Sequence, residues 1–292
     1  MIEGTLVKGI GSFYTARTPE GTEYILRCPG RFRRERMSPM VGDEVRFLPG
    51  EGENHGWIQE ILPRRSVIVR PPVANVSLLV IVLAPEPAPD LVLTDRLMAQ
   101  AFGQGMKVLL AVNKSDLDRE GLWDRVQAEY ALACPTLRVC AKNGEGLPSL
   151  REHLRGETGC FAGQSGVGKS ALLNALFGLA RETGDISAKI GRGRNTTRAV
   201  EMIIQDDIRV MDSAGFNFLE FGKGINPESL RAWYPEFAPF EGKCRFRGCF
   251  HDQEPGCAVW EAVERGALLS ARAERYRKLL AELRQLWDNR FE

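Results

Sequence analysis

Short apolar segments separated by glycine and proline fill the first 70 residues. Residues 4–7, 11–14, 23–26 and 41–48 have the length and composition of β-strands. Five or six strands at this spacing are typical of a small barrel. The pair Pro71-Pro72 follows as a candidate boundary. The pattern therefore predicts an N-terminal β-barrel domain over residues 1–70.

The pattern changes at Val76, where continuous apolar runs begin to alternate with helical segments. Strand-like runs lie at residues 76–84, 108–112, 137–140, 160–162, 199–204 and 208–211, and helical segments at 91–102, 122–132 and 171–176. This alternation is typical of a parallel sheet with helices on both faces. The strands stop after about Phe221, and a helical tail without proline is predicted over residues 258–288. We expect a multidomain α/β protein with further domains at 71–221 and 222–292.

Composition and charge argue against a membrane-spanning protein and against a protein that attracts nucleic acid by its overall charge. The chain has 292 residues, 43% hydrophobic and 26% charged, with a net charge of +1. It can bury a sizeable core, and it has no global charge that would attract nucleic acid. No apolar run reaches the roughly 18 residues of a membrane span, and the N-terminus lacks a secretory pattern. We expect a cytoplasmic protein, and since nothing favours an oligomer, a monomer.

A phosphate-binding motif occupies residues 163–170, Gly-Gln-Ser-Gly-Val-Gly-Lys-Ser, which match G-x-x-x-x-G-K-[ST] between a short strand and a helix. The alternative is a glycine-rich turn. Backbone N–H groups of such a loop wrap phosphates, and the helix N-terminus adds a positive dipole. Lys169 would reach the β- and γ-phosphates, and Ser170 would ligate Mg²⁺. The candidate residues are Gly163, Gln164, Ser165, Gly166, Val167, Gly168, Lys169, Ser170 and Ala171.

A guanine-selecting motif, N-K-x-D, follows the strand at 108–112 as Asn113-Lys114-Ser115-Asp116. The Asp116 carboxylate would accept two hydrogen bonds from guanine. Adenine offers the opposite pattern, and a buried unpaired acceptor costs about 1–3 kcal/mol. Asn113 would brace the loop, and the Lys114 stem would cover the base. By itself the motif also fits an exposed Asn-Lys turn, but beside a phosphate loop it indicates guanine.

The next strand ends in Cys140-Ala141-Lys142, which is similar to the S-A-K element of GTPases. That element offers a backbone N–H to the guanine carbonyl, a contact that Ala141 and Lys142 would keep. Cys140 stands where serine is usual, so the supporting side-chain hydrogen bond is left open. The alternative for Cys140 is a small buried residue.

Two further segments have the form of nucleotide switches. Asp212-Ser213-Ala214-Gly215 matches D-x-x-G, with Asp212 near Mg²⁺ and the Gly215 N–H toward the γ-phosphate. A basic loop precedes it, in which Thr196 or Thr197 would ligate Mg²⁺ and order the loop when γ-phosphate is bound. The alternative is a solvated basic loop. Its cations, which would also suit RNA phosphates, are Lys189, Arg192, Arg194 and Arg198.

A metal-binding pattern lies near the C-terminus, where Cys244, Cys249, His251 and Cys257 supply three thiolates and one imidazole. This Cys₃His set is typical of a closed tetrahedral structural zinc site with one ion per chain. Another soft metal or no metal is the alternative. The basic neighbours Lys243, Arg245 and Arg247 are candidate nucleic-acid contacts.

Together these residues resemble the RsgA (YjeQ/EngC) family of circularly permuted GTPases, because the guanine motifs at 113 and 140 precede the phosphate loop at 163. The resemblance implies an N-terminal OB-fold that binds RNA (1–70), a circularly permuted P-loop GTPase domain (71–221) and a C-terminal zinc-binding helical domain (222–292). It implies late maturation of the small ribosomal subunit, with that subunit and its rRNA as partners. The basic stretch 27–36 would face rRNA, or form a solvated loop.

Two departures from the family pattern concern catalysis. The sequence D-S-A-G-F at 212–216 replaces D-T-P-G-F, and Asn195 stands where the family often has a proposed catalytic histidine. Asparagine orients water but transfers no proton near neutral pH. Apolar Phe216 stands where many GTPases place a water-orienting glutamine. The candidate catalytic residues are Lys169, Asn195, Thr196, Thr197, Asp212 and Gly215.

The expected reaction is in-line attack of water on Mg²⁺-bound GTP, which gives GDP and phosphate slowly alone and faster on the small subunit. One alternative is an RNA-binding module that GTP gates with negligible hydrolysis. Another is a permuted GTPase that acts on a different RNA or on a protein partner.

Overall fold

The computed structural model describes residues 1–30, 32, 37–50, 55–69, 72–179, 200–212, 221 and 225–290. The strands are β1 (Ile2–Ile10), β2 (Phe13–Arg17), β3 (Glu23–Arg27), β4 (Glu44–Leu48), β5 (Gly56–Ile61), β6 (Val67–Ile68), β7 (Val73–Ala74), β8 (Leu78–Leu83), β9 (Lys107–Val112), β10 (Thr136–Arg138), β11 (Thr158–Ala162), β12 (Val200–Gln205) and β13 (Ile208–Asp212). The α-helices are α1 (Leu91–Gly103), α2 (Leu122–Tyr130), α3 (Leu147–Leu154), α4 (Lys169–Phe177), α5 (Ala258–Glu264) and α6 (Ser270–Asp288). Short 3₁₀ helices lie at Ser115–Leu117, Pro227–Trp233 and Pro235–Phe240.

The chain divides into two compact units, each made of stretches that are separate in sequence. The first contains Met1–Leu79, Pro148–Phe161 and Leu173–Phe216, and the second contains Val80–Leu147, Ala162–Leu172 and Asn217–Glu292. None of the described helices has the length and apolar character needed to cross a membrane.

The first unit contains a closed five-stranded barrel, as the sequence predicted. Neighbouring strands pair in the order β1-β2-β3-β5-β4, and β4 returns to β1. Alternate residues face inward, and Leu6, Ala16, Leu26, Val45 and Phe47 are fully buried in its core. Closure removes the free strand edges that an open sheet of this size would expose.

Strand β1 is shared between the barrel and a second set of strands in the same unit. Ile2–Thr5 pair with β4, whereas Lys8 and Gly9 pair with β12. Strand β13 then pairs with β12 and, in parallel, with β11. The β12–β13 pair is antiparallel, unlike the expected parallel sheet, because the two-residue turn Asp206-Asp207 is too short for a helical crossover.

The second unit contains the strand order β10-β9-β8. Strands β9 and β10 are parallel, and the crossover between them contains α2. All six residues of β8 are buried, as are the last five of β9. Such continuous burial explains why these strands are uninterrupted apolar runs in the sequence.

The helical tail expected over 258–288 consists of two helices, α5 and α6. The break lies at Gly266, whose φ of 72° is in the left-handed region that favours glycine. The N–H of Gly266 donates to the carbonyl of Val263, and the N–H of Ala267 donates to the carbonyl of Ala262. These two bonds form a Schellman motif that ends α5.

A buried network of charges joins α6 to α1 and α2 inside the second unit. Asp95 accepts hydrogen bonds from Arg272, from Arg275 Nε at 2.7 Å and from the Tyr130 hydroxyl at 2.6 Å. Arg272 also donates to Glu236 at 2.8 Å. Burial alone would lower the pKa of Arg272, but Asp95 and Glu236 outweigh it and raise that pKa, so the guanidinium stays charged. Paired in this way, buried charges are tolerated.

Candidate nucleotide and metal sites

The predicted phosphate loop connects β11 to α4 and contains two positions that require glycine. A Cβ on Gly163 would lie 2.3 Å from the carbonyl oxygen of Val82, and one on Gly168 would lie 2.4 Å from Asn113 Nδ2. Both residues have positive φ, 131° and 94°. The loop therefore packs directly against its neighbours, and α4 begins at Lys169 immediately after it.

The Lys169 side chain turns back over this loop. Its Nζ donates to the carbonyl oxygens of Gly163 at 2.7 Å and Gln164 at 2.6 Å. Burial lowers the pKa of Lys169 to about 8. The next residue, Ser170, exposes its side chain on the first turn of α4. A cation and a hydroxyl thus stand together at a helix N-terminus, where anions bind favourably.

Asn113 belongs to the guanine loop, residues 113–116, and joins it to the phosphate loop, residues 163–168. Its side chain is buried, and Nδ2 donates to the carbonyl of Val167 at 2.8 Å. Its Oδ1 accepts from the Ala141 N–H at 3.1 Å, and its own N–H donates to Leu83 at 2.8 Å. The fold thus brings together residues from three motifs that are up to 54 positions apart.

Asp116 is held by the segment that follows β10. The Cys140 thiol, which is buried, donates to Asp116 Oδ1 at 3.3 Å. Lys142 Nζ lies 3.6 Å from Asp116 Oδ2. The cysteine therefore supplies the side-chain contact that the sequence left open. Asp116 keeps 28% of its side chain accessible, which leaves its carboxylate available as an acceptor.

A third segment, residues 86–90, supports both loops and was not expected from the sequence. Lys114, whose φ is 59°, donates from Nζ to the carbonyl of Glu86 at 2.6 Å. The side chain of Gln164 accepts from the Asp90 N–H at 2.8 Å and donates to the carbonyl of Ala88 at 3.2 Å. No motif marks this segment, because its contribution comes mainly from backbone groups.

The remaining nucleotide-site candidates are only partly within the described chain. Ser165 and Gly166 are exposed in the phosphate loop, Val167 is fully buried, and Ala171 is half-buried on α4. The backbone of Asp212 ends β13. The candidates Asn195, Thr196, Thr197 and Gly215 lie outside the described residues, as does Phe216.

The four predicted metal ligands converge on one point. The ligand atoms of Cys244, Cys249, His251 and Cys257 all lie within 4.8 Å of one another. His251 Nδ1 lies 3.6 Å from the sulfur of Cys244 and 3.4 Å from that of Cys257. Tetrahedral zinc, with bonds of about 2.3 Å to sulfur and 2.0 Å to nitrogen, places a sulfur ligand and a nitrogen ligand about 3.5 Å apart. The donor set and its spacing fit zinc.

Two backbone N–H groups support sulfur atoms of this cluster, whereas burial opposes their ionisation unless a cation is bound. The N–H of His251 donates to Cys249 Sγ and the N–H of Ala258 donates to Cys244 Sγ, each at 3.4 Å. Burial raises the pKa of the Cys249 and Cys257 thiols and lowers that of His251. The deprotonated thiols therefore need a compensating cation, which a bound metal ion supplies.

The basic residues beside the metal cluster face solvent. Lys243, Arg245 and Arg247 are exposed, and so is Phe246, over whose ring the Arg245 guanidinium lies at 5.5 Å. On the barrel, Arg27 lies over the ring of Phe13 at 4.9 Å. Most of the remaining stretch up to residue 36 lies outside the described residues.

Two family models match the chain. The model described as RsgA GTPase matches residues 61–222. The model described as RsgA N-terminal domain matches residues 3–58.

Curated relatives match over nearly the whole length. A protein of Moorella thermoacetica named small ribosomal subunit biogenesis GTPase RsgA is 40% identical over 286 residues, which are 97% of each chain. A protein of the same name from Bacillus velezensis is 36% identical and covers 98% of each chain.

Two solved structures share the fold. YjeQ from Thermotoga maritima matches with a TM-score of 0.81 and 31% identity, over 97% of this chain and 98% of that one. YloQ, described as a circularly permuted GTPase, matches with a TM-score of 0.80 and 29% identity, over 98% and 96%.

Proposed function

This chain belongs to the RsgA family, and from that membership we propose that it is a GTPase acting in biogenesis of the small ribosomal subunit. The observation that carries the proposal is the pair of hydrogen bonds made by Asn113. They join the loop that would bind guanine to the loop that would bind phosphates. One guanine nucleotide would therefore contact both loops at once.

At the guanine end, Asp116 would accept hydrogen bonds from the ring N–H and the exocyclic amine. The Lys114 stem would cover one face of the base, and the backbone N–H groups of Ala141 and Lys142 would donate to the guanine carbonyl. Adenine would leave the Asp116 carboxylate unpaired, and this is the physical basis of selection.

At the phosphate end, the N–H groups of the loop 163–168 and of the first turn of α4 would surround the phosphates. Lys169 would exchange its two carbonyl partners for phosphate oxygens and neutralise the charge that develops on them. The exposed Ser170 hydroxyl would hold Mg²⁺, whose charge supplies further electrostatic stabilisation when it is bound. Water would attack in line, giving GDP and phosphate.

The remaining catalytic candidates in this proposal lie between residues 195 and 215. Asn195 would orient water, Thr196 or Thr197 would ligate Mg²⁺, Asp212 would support that ion, and the Gly215 N–H would contact the γ-phosphate. Because apolar Phe216 follows the D-x-x-G motif, where many GTPases place a water-orienting glutamine, we expect slow hydrolysis by the free protein. Asn195 adds to this expectation, since asparagine transfers no proton near neutral pH. The small subunit would then complete the site and accelerate the reaction.

The remaining parts of the proposal concern domains and partners. We assign residues 1–70 to an OB-fold that binds rRNA, 71–221 to the GTPase domain and 222–292 to the zinc-binding domain. Zinc at the Cys₃His site would stabilise the fold without taking part in chemistry, because four protein ligands leave no open position. The protein would act as a cytoplasmic monomer with GTP, GDP and the small subunit as partners.

The test is the rate of phosphate release from GTP with and without small ribosomal subunits. We expect slow release alone and a clear acceleration with small subunits but not with large ones. Lys169→Ala should abolish both rates. GTP binding without turnover under either condition would instead support the GTP-gated RNA-binding module. Acceleration by another RNA or by a protein alone would redirect the proposal to that partner.

A further inference from the structure

Glu145, which belongs to none of the sequence motifs, contacts Ser115 of the guanine loop directly and also contacts Arg138, which itself reaches Ser115. Its Oε2 accepts a hydrogen bond from the Ser115 hydroxyl at 2.6 Å. Its Oε1 lies 3.4 Å from Arg138 Nε. Arg138 Nη2 in turn lies 3.4 Å from the backbone carbonyl of Ser115. Ser115 is thus held by its hydroxyl and by its carbonyl.

The same segment also holds the residue that follows Ser115. Cys140 donates its thiol to Asp116 Oδ1 at 3.3 Å, and its backbone N–H donates to the carbonyl of Glu145 at 2.9 Å. Glu145 and Cys140 are therefore bonded to each other through the backbone, and each holds one of two consecutive guanine-loop residues through its side chain.

The guanine loop needs such support because little regular structure fixes it. Lys114 has a left-handed backbone conformation, with φ of 59°, and only a 3₁₀ turn over Ser115–Leu117 follows. The direction of the Asp116 carboxylate thus depends on contacts from outside the loop. Ser115 is buried, so its hydroxyl has no alternative partner in water.

We propose that Glu145 is a positioning residue for guanine recognition, which acts through Ser115 to aim Asp116, with Cys140 as its second point of attachment. This inference rests on the proposed function. In this proposal Glu145 acts through Ser115 and not by direct contact with the nucleotide. Its loss would let Asp116 rotate away from the geometry in which it accepts both guanine hydrogen bonds.

The test measures base selectivity, which a merely stabilising residue would not change. Dissociation constants for GDP and IDP are compared, because IDP lacks the exocyclic amine that one of the two bonds to Asp116 requires. Glu145→Ala and Ser115→Ala should each reduce the preference for GDP about fivefold, the size of one lost hydrogen bond. The double variant should lose no more than either single variant, since both remove the same bond.

Glu145→Gln provides the rescue control, because its amide oxygen still accepts from Ser115, and it should keep most of the preference. Glu152→Ala is the matched control, since the exposed Glu152 carboxylate pairs with exposed Arg155 at 3.4 Å, and it should be neutral. Thermal unfolding shows whether each variant is folded. If Glu145→Ala does not fold, the base selectivity of Ser115→Ala tests the proposal.

The two possible failures are separable. A wild-type protein that binds GDP and IDP equally would refute the proposed guanine site itself. A wild-type preference that survives unchanged in folded Glu145→Ala or Ser115→Ala would refute only the positioning role.

Discussion

The side chain of Asn113 donates to the carbonyl of Val167 at 2.8 Å, across 54 positions of sequence. The same amide accepts from Ala141. One buried side chain therefore satisfies two backbone groups from separate loops, and both loops lose a partner if it is removed. Such dual use makes Asn113 a structural as well as a binding residue.

Replacing Asn113 by alanine should lower the free energy of unfolding by about 1–3 kcal/mol, because the buried Val167 carbonyl and Ala141 N–H lose their partner. Denaturant unfolding measures this loss, and GDP affinity should fall in parallel. Gln127→Ala, at an exposed position of α2, is the control. An Asn113→Ala protein as stable as this control would contradict the bridging role.

Asp116→Asn should change which base the protein prefers. An amide donates where the carboxylate accepted, so guanine loses hydrogen bonds while xanthine, with a carbonyl at that position, gains one. We expect the preference for GTP over XTP to fall about 5- to 150-fold, corresponding to 1–3 kcal/mol. Competition binding measures the ratio, and an unchanged ratio would remove Asp116 from the proposed site.

The pH dependence of nucleotide binding should report on Lys169, whose pKa burial lowers to about 8 from 10.5. Phosphate oxygens bind the ammonium form, so above pH 8 the free protein must take up a proton on binding. GDP affinity should therefore fall as pH rises from 7 to 9.5. Lys169→Ala, measured by calorimetry over the same range, should lack this component of the dependence.

Lys169 should also make the free energy of unfolding depend on pH, with a sign opposite to that of nucleotide affinity. Between pH 8 and 10.5 the unfolded chain holds more protons on Lys169 than the folded chain, so this group makes stability rise with pH. Below pH 8 Lys169 is charged in both the folded and the unfolded chain, so burial of its charge destabilises the folded state to the full extent. Relative to Lys169→Met, nucleotide-free wild type should gain stability from pH 7 to pH 10 in denaturant titrations, and a flat difference would contradict the lowered pKa.

Cys249→Ser should remove bound metal and loosen the C-terminal core. Cys249 and Cys257 belong to a buried cluster with Phe237, Tyr276 and Leu279, so loss of the metal exposes apolar packing. Elemental analysis should find close to one zinc per wild-type chain and little in the variant. Cys28→Ser, outside the cluster, should retain zinc. Metal-free wild type with an unchanged melting temperature would refute the structural role.

Asp95→Ala should be among the most destabilising substitutions in the second unit. It removes the carboxylate that the buried guanidiniums of Arg272 and Arg275 share, although Glu236 and Glu129 still pair with them. Removing one partner from buried ion pairs costs about 3–5 kcal/mol. The replacement Asp124→Ala, at an exposed position of α2, should have little effect. Equal unfolding midpoints for the two variants would show that the network contributes nothing.

The sequence predicts those parts of the site in which chemistry is confined to a few consecutive residues. The loop 163–170 needs glycine for backbone geometry and lysine for charge, so its motif is visible without a structure. The cluster from Cys244 to Cys257 is similar, because metal ligands impose their own spacing. The barrel also follows directly from strand length and turn residues.

Contacts between segments that are distant in the chain cannot be predicted from short motifs. The thiol of Cys140 and the carboxylate of Glu145 gain their roles only when β10 places them beside Asp116. Likewise, the hydrogen bond from the Asp90 N–H to the Gln164 side chain forms only because the fold brings these distant residues together. The helix break at Gly266 was missed for another reason, since an isolated glycine is tolerated in a helix and only its left-handed φ marks the end.

The double pairing of β1 has a consequence for how this protein is made. Its first residues meet β4 within about fifty positions, but Lys8 and Gly9 need β12, which begins at Val200. During synthesis the barrel therefore has its partners early, while one edge of its first strand waits for nearly two hundred further residues to leave the translating ribosome. Shortening the N-terminus would disturb both the earliest and one of the latest pairings of the nascent chain.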